Sequence, residues 1–89
     1  MRGATHEVAI ESDRVKQPAG LAASDTSLFV ADSAGGVISE YSWDGGLTHK
    51  RDIQTGSTGL SGLAFSSVGG DALYFTDVSD NSVKRLALT

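Results

Sequence analysis

The sequence predicts an all-β chain built from two copies of one short-stranded unit. Three observations lead there: an internal repeat, strand-forming residues bunched between glycine-rich turns, and no stretch with helical apolar spacing. Gly20-Leu21-Ala22 returns 42 residues later as Gly62-Leu63-Ala64, and Leu28-Phe29-Val30-Ala31-Asp32 returns 45 residues later as Leu73-Tyr74-Phe75-Thr76-Asp77. The difference is a longer turn in the second copy, SSVGGDA against ASDTS. A period of this length marks a supersecondary unit that buries its faces against its own neighbours.

Each unit reads as four strands. In the first they are GLAAS at 20–24, SLFVADS at 27–33, GVISEYSW at 36–43 and LTHKRDIQT at 47–55. Gly35-Gly36, Asp44-Gly45-Gly46 and Gly69-Gly70-Asp71 punctuate the runs as turns. The second unit stops after its third strand, where Val83-Lys84-Arg85-Leu86-Ala87 holds the place of Val37-Ile38-Ser39-Glu40-Tyr41. The missing fourth strand has a counterpart at the other end of the chain, because Thr5-His6-Glu7-Val8-Ala9-Ile10-Glu11 aligns with Thr48-His49-Lys50-Arg51-Asp52-Ile53-Gln54. The expected organisation is therefore an N-terminal outer strand within 1–16, a first unit over 17–56 and a second, three-stranded unit over 57–89.

Four-stranded units that are apolar on both faces bury themselves by packing radially around an axis, which is the β-propeller solution. Small residues in GLAAS and GLAFS suit the crowded axis, and the nearly continuous apolar run LFVAD suits a strand covered on both sides. Polar LTHKRDIQT suits a solvated outer edge. The order of GLA, a short gap, L-[FY]-[VF]-[AT]-D, a small polar turn and a third strand resembles the NHL and YWTD class of six-bladed propellers over residues 17–89. GLAFSSVGGDALYFTDVSDNSVKRLAL is similar to a YWTD blade, with LYFTD in place of the tetrad, and GLAASDTSLFVADSAGGVISEY is closer to an NHL blade. The resemblance implies that residues 5–11 act as a clasp strand, pairing with another copy or with further sequence, and that three copies make six blades.

Composition narrows the partners. A chain of 89 residues buries only about 65% of the surface it exposes when unfolded, so further copies of the same unit are the expected source of stability. It has no cysteine to staple it, and two histidines are too few for a structural metal site of ordinary spacing. With 7 Lys and Arg against 11 Asp and Glu the net charge is −4, which argues against a nucleic-acid partner. The pairs Lys50-Arg51 and Lys84-Arg85 read as solvated strand faces. No run approaches the ~20 apolar residues of a membrane span, and MRGATHEVAIES lacks the apolar core of a signal peptide. Lack of cysteine fits a cytosolic and an extracellular location alike.

Asp32 and Asp77 end the second strand of each unit. Paired carboxylates can serve acid-base or metal chemistry, but one per unit is the pattern of a structural element. In the resembled family this aspartate bonds to backbone and ties neighbouring blades. Gly20 and Gly62, opening the innermost strands, are expected to be structural as well. His6 and His49 have no serine or carboxylate at a catalytic spacing, and Trp43 reads as packing over a strand edge. The expected binding surface is the loops at one end of the ring, with Gln17, Pro18, Ser33, Ser57, Thr58, Ser79, Asp80 and Asn81 as candidate contacts.

The leading reading is a binding or scaffold module that presents these loops to a protein, peptide or glycan. A second is a metal-dependent hydrolase or lyase of the lactonase kind, which would take calcium, although GLAAS and GLAFSS carry no Asp, Glu, Asn or His and only Asp25 lies near a tunnel mouth. A third is a structural unit, natural or designed, without ligand. No catalytic, cofactor or metal residue is assigned.

Overall fold

In a computed structural model of the chain, residues 16–43 and 46–88 are described. They form seven strands in chain order: β1 (Pro18–Ala23), β2 (Ser27–Asp32), β3 (Val37–Ser42), β4 (Thr48–Gln54), β5 (Leu60–Ser66), β6 (Ala72–Asp77) and β7 (Ser82–Ala87). The first four make one antiparallel sheet in the order β1-β2-β3-β4, and the last three make a second in the order β5-β6-β7. There is no helix among the described residues. The expected outer strand over residues 5–11 lies outside them.

The pairing corrects the alignment of the two third strands by one residue. Asp32 lies opposite Val37 and Leu28 opposite Tyr41, while Asp77 lies opposite Ser82 and Leu73 opposite Leu86. Val37 therefore corresponds to Ser82, Ile38 to Val83, Glu40 to Arg85 and Tyr41 to Leu86. A slip of one residue turns every side chain to the other face of a sheet, so this register decides which surfaces the repeats share. The turns before the two strands agree with it. Gly36 and Asn81, at matching positions, both adopt the left-handed conformation, with φ of 64° and 55°. Glycine and asparagine are the residues that tolerate it best.

The two sheets pack through one core. Ala22, Phe29, Ala31 and Ile38 from one face of the four-stranded sheet meet Leu60, Leu73 and Phe75 from the other sheet, with Ile53, Leu63, Phe65, Leu86 and Leu88 partly buried around them. The rings of Phe29 and Phe65 stack with centroids 6.2 Å apart. All six residues of β2 are buried, which is why its sequence is apolar without alternation. On the opposite face of that sheet, Leu28, Val30 and Tyr41 form a second cluster with Leu47.

Under the corrected register the contact is head to tail. The face formed by Ala22, Phe29, Ala31 and Ile38 corresponds to Ala64, Tyr74, Thr76 and Val83 in the second sheet. Those residues are not the ones that pack. The second sheet uses its other face, whose Leu63, Leu73, Phe75 and Leu86 correspond to Leu21, Leu28, Val30 and Tyr41. Unlike faces of equivalent sheets thus meet, and Val83, on the face left open, is 70% exposed. The inner strands β1 and β5 come together closely: a Cβ on Gly20 would stand 3.0 Å from both the Leu63 amide nitrogen and the Ser61 carbonyl oxygen.

Candidate functional site

The segments that lead into β1 and β5 and the turns β2–β3 and β6–β7 are joined by hydrogen bonds at one end of the two sheets. Ser33 N–H donates to the Gln17 carbonyl at 3.0 Å, and Val78 N–H makes the equivalent bond to the Gly59 carbonyl at 2.9 Å. Thr55 binds the Gly36 carbonyl twice, through its N–H at 3.0 Å and its hydroxyl at 2.7 Å. Gly36 sits so near the following linker that a Cβ there would lie 2.2 Å from the Ser57 carbonyl oxygen.

The two repeated aspartates are the anchors of this rim. Asp32 accepts bonds from the N–H groups of Lys16 (2.9 Å), Gln17 (3.0 Å) and Ala34 (3.0 Å), so it ties the start of β1 to the next turn. Burial opposes its ionisation, but these donors outweigh that and hold its carboxyl below the usual range. Asp77 is held lower still by the Ser79 hydroxyl, the Lys84 ammonium at 2.9 Å and the Ser57 hydroxyl. Lys84 also reaches Asp80 at 3.1 Å, and both carboxylates raise its pKa. Both acids are committed to neighbours, the state in which a carboxylate holds structure together.

Of the loop residues singled out from sequence, Gln17, Thr58, Ser79, Asp80 and Asn81 are exposed on this rim and Ser33 is half-buried. Pro18 is exposed as well, but it opens β1 rather than belonging to a loop. Ser57 is buried and donates its hydroxyl toward Asp77, so it braces the rim from beneath. Gly20 lies at the approach of β1 to β5, and Gly62 faces Thr76 at ordinary contact distance. Sequence reasoning missed Thr55, whose hydroxyl and N–H both bind the Gly36 carbonyl, and the close backbone approaches at Gly36 and Gly59, which leave no chemical signature beyond glycine itself.

A second polar group lies across β3 and β4. Glu40 is buried and accepts bonds from the Ser27 hydroxyl and Arg51 Nε, each at 2.6 Å, with Lys50 Nζ at 3.3 Å. Burial pushes the Glu40 pKa up and these donors bring it below the ordinary value. On the other face Asp52 accepts from the Ser39 hydroxyl at 2.9 Å and lies 2.8 Å from His49 Nε2. This is not a nucleophile arrangement, because the serine proton points at the carboxylate and not at the imidazole. The His49 ring meets the Tyr41 ring edge-on at 5.5 Å. The Tyr41 hydroxyl is buried and has no hydrogen-bond partner among the described residues. His6 lies outside the described residues.

At the end opposite the rim, a cleft of about 480 Å³ opens between the sheets, lined by Ser24, Asp25, Thr26, Phe65, Ser67 and Asp71 among others. Asp25 and Asp71, 46 positions apart in the sequence, both line it. Trp43 is exposed and donates Nε1–H to the carbonyl of Ser24, one of the cleft's lining residues, at 3.2 Å. Among the described residues no three His, Cys, Asp or Glu side chains cluster as metal ligands would. In comparisons with known proteins the chain matches no family model, no curated protein and no solved structure.

Proposed function

We propose that the chain is a two-blade binding module of the NHL/YWTD propeller kind, completed into a ring by further copies or further sequence, which presents its hydrogen-bonded rim to a protein, peptide or glycan. The head-to-tail contact of the two equivalent sheets carries this reading. An interface between unlike faces leaves the Val83 face of the second sheet exposed for a further unit, whereas a self-complementary contact would stop at two. The rim supports a binding role because it is cross-braced by backbone bonds and two anchored aspartates while presenting Gln17, Thr58, Asp80 and Asn81 outward. Rigid scaffolds carry variable function on such loops.

The test has two parts. Absolute mass by light scattering after size exclusion should give about three chains, the number needed for six blades; a folded monomer overturns the ring. Glycan and peptide arrays probed with the chain and with a Thr58→Glu/Asp80→Lys variant should then show binding that the variant loses. Binding of equal strength by both would place the ligand away from the rim.

A further inference from the structure

We propose that the cleft at the end opposite the rim binds the guanidinium side chain of an arginine presented by a peptide. The cleft is separate from the rim, so this inference stands whether or not the chain closes into a ring. Its volume of about 480 Å³ falls within the range of about 300–1,000 Å³ typical of small-ligand sites.

The distribution of charge points to a cation. Asp32, Glu40, Asp52, Asp77 and Asp80 each bind a neighbouring donor through their side chains. The remaining carboxylates of the described residues, Asp25 and Asp71, are exposed and make no hydrogen bond or ion pair among those residues. Both line this cleft. The turns that carry them, 23–27 and 65–72, contain no Lys, Arg or His, so nothing within the turns offsets the negative field. Like charges on one concave surface draw cations toward it.

The other lining groups choose among cations. Phe65 also lines the cleft, and its half-buried ring is held in place by stacking on Phe29. Calcium takes about six to eight oxygen ligands, whereas among the described residues no three His, Cys, Asp or Glu side chains cluster as metal ligands would. An ammonium is a compact, strongly hydrated point charge. A guanidinium is flat and weakly hydrated, and it bonds a carboxylate along its edge while covering an aromatic ring with its face or its stem. A surface that offers carboxylates and a phenyl wall together suits arginine.

The walls are already fixed. Trp43 pins the first turn through its N–H to the Thr26 carbonyl at 3.3 Å and its Nε1–H to the Ser24 carbonyl, and the Ser27 N–H donates to Ser24 Oγ at 3.0 Å. In the second turn Gly70 N–H donates to the Ser67 carbonyl at 3.2 Å, and Leu88 N–H donates to the Asp71 carbonyl at 2.9 Å. Turns held by such bonds need little ordering when a ligand arrives, which lowers the cost of binding.

The experiment is a titration of the isotope-labelled full chain with the acetylated, amidated tripeptide Gly-Arg-Gly, followed by amide shifts in NMR spectra. The same tripeptide with citrulline in place of arginine is the uncharged control. The amides of Asp25, Thr26, Ser67 and Asp71 should shift with the arginine peptide, saturate in the millimolar range and respond less as salt is added. The citrulline peptide should leave them in place. Asp25→Asn and Asp71→Asn should each weaken binding on the order of fivefold, and Ser67→Lys, which supplies a cation of its own, should abolish it. The rim variant Thr58→Glu/Asp80→Lys should bind the peptide as the unaltered chain does. Equal binding of the citrulline peptide, or of a lysine peptide, overturns the proposal. So do shifts confined to the rim, Asn variants without effect, or release of the peptide by millimolar calcium, which would mark a metal site. The citrulline comparison requires no substitution, so it decides the point even where a variant fails to fold.

Discussion

Ile38 and Val83 occupy the same place in their two sheets, yet Ile38 is fully buried and Val83 is 70% exposed. The difference is the presence of a neighbouring sheet over one and not the other. Ile38→Ala should cost about 2–5 kcal/mol, the usual price of emptying an aliphatic core site. Val83→Ala in dilute, dissociated chain should stay within about 0.5 kcal/mol. Urea unfolding followed by the fluorescence of Trp43, the only tryptophan, measures both. In the proposed ring the Val83→Ala cost grows with chain concentration.

The Tyr41 hydroxyl, unpartnered among the described residues, predicts a substitution that does no harm. A buried hydroxyl without a partner is destabilising, and removing it leaves the ring's packing intact. Tyr41→Phe is therefore expected to be neutral or to stabilise by up to about 1 kcal/mol in the same unfolding assay. A loss of that size would show that the hydroxyl has a partner after all.

Gly36→Ala should be far more damaging than Gly56→Ala. Both glycines have positive φ, 64° and 75°, but a Cβ at position 56 meets nothing within 4 Å whereas one at 36 strikes the Ser57 carbonyl oxygen. The left-handed conformation alone costs a non-glycine residue about 1–2 kcal/mol. Gly56→Ala should lose that much, and Gly36→Ala should lose more because the Thr55–Ser57 backbone must move. Thermal melting of the two variants side by side decides it.

Acid should unfold the chain through its anchored carboxylates. Asp32, Glu40 and Asp77 all have pKa values below their ordinary ones. A group depressed in the folded state contributes stability that is whole above its unfolded pKa, near 4, and is lost as pH falls through the folded value. The melting temperature should hold between neutrality and about pH 5 and then drop steadily. Asp32→Asn/Asp77→Asn should start lower at neutral pH and fall less steeply; an unchanged acid slope would show that other groups set it.

The division into two sheets was legible because the repeat preserves Asp32 and Asp77 at the ends of equivalent strands. The pairing of the third strands was not. Val37 and Val83 look alike, and only the cross-strand partners of the aspartates reveal that Val37 corresponds to Ser82. Which face of β2 meets the second sheet was also hidden, for a physical reason: a strand buried on both sides shows no apolar alternation, so Phe29 and Val30 look equally suited to the core. At the rim, exposed Asp80 and Asn81 could be picked out by residue type. Ser57 could not, because nothing in a Gly-Ser-Thr-Gly linker says that its serine turns inward.

Gly20 touches the backbone of β5 and thereby sets how closely the two inner strands can approach. That spacing fixes the rotation from one sheet to the next. Head-to-tail assemblies close only when the repeated rotation adds up to a whole turn; a few degrees of error at each step yields an open helical filament instead. In the proposed ring, a side chain at position 20, pushing the strands apart by a few tenths of an ångström, would be felt less in the stability of one chain than in the symmetry of the particle, converting a finite ring into a polymer whose length grows with concentration.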